Sequence, residues 1–371
     1  MRIAILCTAA VLAWQAAVIQ TLWNGNLTGL FCAGSRTPVP AELAEGLARV
    51  PDSNGYDGAY YRTIAHDPFF RRGFASTIDD AQLRYRRILL PAAAWALGLG
   101  QDRYIDAAYA ALIAASVFFG VRWTAAWFRL RGFSEAWGAI FLLAPATLTS
   151  VDRMLLDGPL CTFLAGIALS LARGGDPRVL LGCATLCKET GVLIGAGVAA
   201  VQLRRREWRA LAGTAATQAP ALAWFAFVAT QTQPSKAISI AARPLWGQFE
   251  RLLTARDYPT LTAANEAIVQ AADAISIVSL LVSIALAIWM FRRLDDAIGV
   301  TAILFALLGA ALGSPDHLAE AYGFARPVSP MLWALMVYGV AERRWAALLA
   351  PLGLTAYIGL FLGSEFVRMV R

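Results

Sequence analysis

Residues 179–203 read VLLGCATLCKETGVLIGAGVAAVQL. The stretch is long enough to cross a bilayer, yet it carries Lys188 and Glu189 at its middle and is followed directly by Arg204, Arg205 and Arg206. A charge at mid-bilayer costs about 2.5–3.5 kcal/mol on insertion scales, and two adjacent ones cost more. The segment is therefore expected to form two half-helices that turn at Lys188-Glu189-Thr190-Gly191 and return to the side they left. This reading decides the topology of the rest. With the N-terminus inside and the hairpin returning, Arg129/Arg131, Arg173/Arg178, Arg204 to Arg206, Arg292/Arg293 and Arg343/Arg344 all fall on the cytoplasmic side, as the positive-inside rule asks. A single crossing would put the last three clusters outside.

Working outward, Arg2 leads into an apolar run to Trp23 that reads as a first span rather than a cleaved signal peptide. Further spans are expected at 104–128, 134–151, 154–172, 208–230, 269–291, 297–313, 327–341 and 345–366, several of them short. The expected fold is thus all-α: a polytopic integral-membrane protein with nine full spans plus the hairpin, forming one domain over 1–371. Composition agrees. Of 371 residues 58% are apolar and 15% charged, against about 25% charged in soluble proteins, which excludes disorder, a disulfide scaffold and a secreted enzyme. The net charge of +7 is assigned to topology-setting arginines, not to nucleic-acid binding. Cys183 and Cys187 sit four apart with no His or third Cys beside them, so they do not mark a metal site.

Four segments fall on the outer face: 24–103, the turn near 151–157, 231–268 and 314–326. In the first, Val39, Leu43, Leu47 and Val50 recur at helical spacing after Pro38 and Pro40, which predicts an amphipathic helix on the bilayer surface. The apolar run from Ile88 to Gly100 is too short to cross and predicts a re-entrant or juxtamembrane helix.

The same outer loop carries the strongest local signal, Asn54-Gly55-Tyr56-Asp57-Gly58-Ala59-Tyr60-Tyr61-Arg62-Thr63-Ile64-Ala65-His66-Asp67-Pro68. Glycines bracket Asp57, and a short helical pattern then runs to Pro68, so Asp57 is expected at a helix start near the membrane surface. From position alone, capping explains such an acid as well as chemistry does. Arg84, Arg86 and Arg87 follow at the mouth of the membrane-hugging helix, suited to a lipid phosphate or to snorkelling. Asp152 and Asp157 flank the second outer turn, as catalytic or merely solvated acids. Lys188 and Glu189 form the hairpin tip, and Asp316, His317, Glu320 and Arg326 precede Pro327. No P-loop, GxGxxG, HExxH or Ser/His/Asp arrangement is present. Acids and arginines on one membrane face suit transfer of a group carried on a lipid phosphate, with a carboxylate as base and Arg or Lys stabilising the departing phosphate. A lipid or polymer transporter is the alternative; it would tend to place its ionisable residues at the midplane of repeated halves, as only Lys188 and Glu189 are placed here.

The run from Tyr56 to Ala65 resembles the first-outer-loop motif of GT-C-type membrane glycosyltransferases. It resembles especially the branch with an aromatic-Asp-x-x-x-Tyr-x-x-Ile-Ala pattern found in GPI-anchor mannosyltransferases and their bacterial relatives. Arg84 to Pro91, the Asp152/Asp157 turn and Lys188-Glu189-Thr190 are similar in order and spacing, so the likeness covers about the first 200 residues by motif and the rest by hydropathy. It implies a bacterial inner-membrane enzyme that takes sugar from a polyprenyl-phosphate donor, with inversion, and passes it to a glycan, lipid or protein acceptor at the outer face. It implies Asp57 as catalytic base, Asp152 or Asp157 as the second-loop acid, and Arg84, Arg86, Arg87, Lys188 and Arg326 at the donor phosphate. Tyr56, Tyr60, Tyr61 and Glu189 would then contact substrate. In some members the second-loop acid assists a divalent cation, Mg or Mn. Here Gly58 and Ala59 replace the Asp-x-Asp form, which puts that metal in question. With no large C-terminal soluble domain, acceptor recognition is expected from the membrane part or a partner.

Overall fold

A computed structural model describes residues 1–371 apart from 236–242, 255, 259–261, 314–317, 319–320 and 371. Asp316, His317 and Glu320 therefore lie outside the described residues. The architecture is all-α. Among the described residues, five helical stretches are long and apolar enough to cross a membrane: α1 (Arg2–Leu22), α5 (Asp102–Leu130), the consecutive pair α10 (Trp208–Ala216) and α11 (Ala219–Gln231), α13 (Ala263–Phe291) and α17 (Trp345–Val370, apolar to Ser364). Shorter apolar helices are α7 (Asp157–Ala172), α8 (Arg178–Cys187), α14 (Ala297–Ala311) and α16 (Ser329–Ala341). The expected span at 134–151 is a 3-10 run, Glu135–Leu143, followed by α6 (Pro145–Arg153). The break falls where Pro145, which has no N–H to donate, opens the second helix.

The chain does reverse inside 179–203. Helix α8 ends at Cys187, Lys188 is extended, and α9 (Val192–Arg204) runs back. Thr185 near the end of α8 bonds to Gln218, and Gly195 near the start of α9 packs against the same side chain, while Gly213 lies against Arg178 at the far end. At ten and thirteen residues the two helices are about 15 and 20 Å long, too short for a hydrocarbon core of about 30 Å. Gly191 makes the reversal possible: a Cβ there would sit 2.2 Å from the Ala184 carbonyl.

The arginine clusters meet at one end. Arg204 and Arg205 donate to the carbonyls of Arg293 and Asp295, and Arg131, Ala172, Arg205 and Tyr338 line one cleft. The Met1 ammonium pairs with Glu135, which also takes Arg129, so the N-terminus lies at that end too.

At the opposite end the first loop folds into α2 (Asp57–His66), α3 (Ala81–Tyr85) and α4 (Leu89–Leu97). The amphipathic helix expected over 39–50 does not form. Only a 3-10 turn at Ala41–Leu43 appears, Gly46 takes a positive φ of 67°, and β2 (Arg49–Val50) pairs in parallel with β1 (Ala33–Gly34). The backbone of Ala48 to Val50 is engaged by Thr28 and Ser35, and buried Leu43 faces protein rather than lipid. Long-range pairing thus outcompetes a local helical pattern. The expected juxtamembrane helix is present as α4.

Candidate functional site

Helix α2 is set from both ends. Gly55 at φ 67° turns the chain so that Tyr56 N–H bonds to the Cys32 carbonyl, and Tyr56 in extended conformation precedes the first helical residue, Asp57. Gly58 lets the helix press onto the turn after α6: a Cβ there would lie 2.2 Å from the Arg153 carbonyl and 2.9 Å from that of Phe31. At the other end His66, 3% exposed, sits between Asp102 (2.7 Å) and Asp106 (3.1 Å) of α5, and Arg62 grips Asp106 at 2.9 and 3.0 Å. Asp67 then accepts the N–H groups of Arg71, Arg72 and Phe74, closing the turn around Pro68.

Held this way, Asp57 is the first helical residue, with Tyr56 in the cap position, and its carboxylate faces two guanidinium groups. One oxygen meets Arg84 at 3.1 Å, and the other faces both terminal nitrogens of Arg326 at 3.4 Å. Burial alone would raise this carboxyl, but the guanidinium groups of Arg84, Arg326 and Arg87 outweigh it and hold the group well below the usual carboxylate range. Arg84 is itself fixed by a two-point grip on Asp79 at 2.5 and 2.8 Å and by the Tyr60 ring 4.2 Å beneath its guanidinium carbon.

Two further pairs complete the cluster. Arg87 makes a fork of two 2.7 Å bonds to Glu189 at the hairpin tip and donates a third, 2.5 Å long, to the Tyr61 hydroxyl. Burial pushes the Tyr61 phenol up to about 12, so it stays protonated. Lys188, on the same tip, bonds Asp157 at the start of α7, and both are under 10% exposed. Arg326 lies in the field of both Asp57 and Asp157, which ties the pairs together. Charges from five separated stretches, at positions 57, 84–87, 157, 188–189 and 326, thus converge beneath α2.

Three of the expected site residues, Arg86, Asp152 and Tyr56, stand apart. Arg86 turns the other way, to Gln82 at 3.3 Å and over the Phe225 ring at 5.7 Å. Asp152 belongs to a separate group: it pairs with Arg153 at 3.0 Å and accepts from the Tyr322 hydroxyl at 3.5 Å. Arg153 in turn lies over Tyr56 at 4.2 Å, which brings Tyr56 into this second group. Sequence reasoning passes over Asp79, Tyr322 and the role of Arg153. Asp79, five residues before Arg84, is the one signal that spacing offered.

The donor set does not suit a divalent cation. Asp57, Asp152, Asp157 and Glu189 are each engaged by a guanidinium or ammonium group, and among the described residues no three His, Cys, Asp or Glu side chains are placed to hold a metal ion. No family model, no curated protein and no solved structure matches the chain.

Proposed function

We propose that the protein is an integral-membrane glycosyltransferase that moves a sugar from a polyprenyl-phosphate donor to an acceptor hydroxyl. The site is taken to face the extracytoplasmic side, with the N-terminus and the arginine end in the cytoplasm and nine traverses plus the α8–α9 hairpin between them. In the proposed reaction Asp57 accepts the acceptor's hydroxyl proton, the acceptor oxygen bonds to the anomeric carbon from the opposite face, and the sugar–phosphate bond breaks with its electron pair leaving on phosphate. Arg84 and Arg326, with Arg87 and Lys188 behind them, would stabilise that growing charge.

The observation that carries this reading is the gathering of Asp57, Arg84 and Arg326 at the end opposite the arginine clusters. Anionic and cationic groups needed for such a transfer come from opposite ends of the chain to one place. The test is incubation of purified protein with defined polyprenyl-phosphate sugars and detection of released polyprenyl phosphate. Release by wild type and its loss in Asp57→Asn is the expected result; full release by that variant would remove Asp57 from the role of base. The transporter reading draws on the broken α8–α9 pair with buried Lys188 at its tip. Turnover in detergent, where no compartments exist, separates the two.

A further inference from the structure

Arg84 and Arg326 hold Asp57 unequally. Arg84 is clamped by Asp79 and Tyr60 and has its closest approach to Asp57 at 3.1 Å. Arg326 reaches Asp57 only through two 3.4 Å contacts, at the outer limit of a hydrogen bond, and its Nε is sealed from water with no partner. A guanidinium fork is built for two acceptor oxygens at once, and a buried unmet donor is costly. The nearby Arg87 is not exchangeable in the same way, because Glu189 and Tyr61 occupy it.

We propose that Arg84 and Arg326 form a phosphodiester site which Asp57 fills as a resident counter-ion, and that a bound phosphodiester takes Arg326 away from Asp57 and so frees the carboxylate to act as a base. The inference rests on the glycosyltransferase reading for its substrate class, but the exchange itself is a binding event that can be measured without turnover. Its chemical logic is that a carboxylate pinned by cations is a weak proton acceptor. Around Asp57 stand Arg84, Arg87 and Asp79 from the α3 side, Arg326 from the turn before α16, Tyr60 and Tyr61 on its own helix, and Asp157 and Lys188 from α7 and the hairpin. Once the two non-bridging oxygens of a phosphodiester engage Arg326, burial acts on Asp57 with less opposition and its affinity for a proton rises, so that it takes one up from water in acid and remains an unprotonated, stronger base at neutral pH. The ligand brings one negative charge and no titrating group of its own, so any proton uptake belongs to the protein.

The experiment is calorimetric titration of the full-length protein in detergent with farnesyl methyl phosphate at pH 5, in two buffers of different ionisation enthalpy, with dimethyl phosphate as a second probe. Exchange predicts net proton uptake by wild type and none by Asp57→Asn. It also predicts at least about 10-fold tighter binding by Asp57→Asn, whose resident anion is gone, and no such gain in Asp52→Asn, which loses equal charge from the same loop at a residue paired with Arg36. Uptake with dimethyl phosphate as well would identify the headgroup alone as sufficient, and uptake only with the farnesyl ester would identify a lipid; either result supports exchange. Absence of proton uptake in wild type overturns the proposal, as does an equal gain in Asp52→Asn. If Asp57→Asn fails to fold, the wild-type proton count decides alone. A protein that shows exchange but releases no polyprenyl phosphate from any donor would sink the enzyme reading and leave the phosphodiester site standing.

Discussion

Asp57 is the residue on which the proposed chemistry turns, and its surroundings make it a pH-dependent contributor to stability as well. Its folded value lies below that of an unfolded aspartate, about 3.9. The contribution is therefore fully present above about pH 4 and is lost as pH falls through the lower folded value. Thermal unfolding in detergent between pH 2 and 7 should show wild type losing stability relative to Asp57→Asn at the acid end of that range, with a constant difference above pH 5. For catalysis, removal of a general base costs about 10²–10⁴-fold. The Asp57→Asn variant should fall within that range in sugar transfer while still accumulating in membranes. The Arg87–Glu189 fork is a different case, largely sequestered from water and two-pointed. Arg87→Leu alone leaves Glu189 without its cation and should cost about 3–5 kcal/mol, whereas Arg87→Leu combined with Glu189→Leu should recover much of it. A double-mutant cycle on thermal or denaturant stability measures the difference; additive losses would mean the pair is not coupled.

Among the elements, α2 depends on a close approach that only glycine permits. Gly58→Ala places a methyl group against the Arg153 carbonyl, and overpacking of this kind costs about 1–3 kcal/mol. The helix must move off the turn after α6, carrying Asp57 away from Arg326, so transfer activity should fall together with melting temperature. Gly359→Ala, where nothing lies within 4 Å of the added group, is the matched control and should change neither. The short helix over 57–66 and the juxtamembrane helix after Ile88 were legible because glycine, proline and apolar periodicity are local signals. The amphipathic helix over 39–50 was misread for the opposite reason. Its spacing was helical, but pairing of Arg49 and Val50 with Ala33 and Gly34 is a contact across about 16 residues that no window of periodicity contains.

At the scale of the whole molecule the arginine-rich end and the Asp57 end define an axis. Substituted cysteines at Gly174, Glu207 and Asp295, introduced after removal of the five native cysteines, should react with an impermeant thiol reagent from one side of the membrane. A cysteine at Asp52 should react from the other. Labelling of Gly174 and Glu207 from opposite sides would mean that 179–203 crosses once and would break the proposed orientation. The half-helices explain how ionisable groups lie at depth: α8 and α9 together carry Lys188 and Glu189 only part of the way through, where Asp157 and Arg87 meet them.

Hydropathy and charge by themselves determined that this is an all-α membrane protein and that its chain turns back at Lys188-Glu189, because the cost of burying a charge in lipid acts on each segment separately. The cost of burying charge singled out Lys188 and Glu189, and the glycine-bracketed motif and the charges assigned to the outer face singled out Asp57, Arg84, Arg86, Arg87, Asp152, Asp157 and Arg326. Which acid meets which base was decided only by the tertiary structure. The pairing of Asp57 with Arg326 spans 269 positions, that of Arg87 with Glu189 spans 102, and Arg86, between two residues of the cluster, turns away from it. Such partners are chosen by the packing of α2, α7 and the hairpin tip, and no local pattern along the chain encodes that packing.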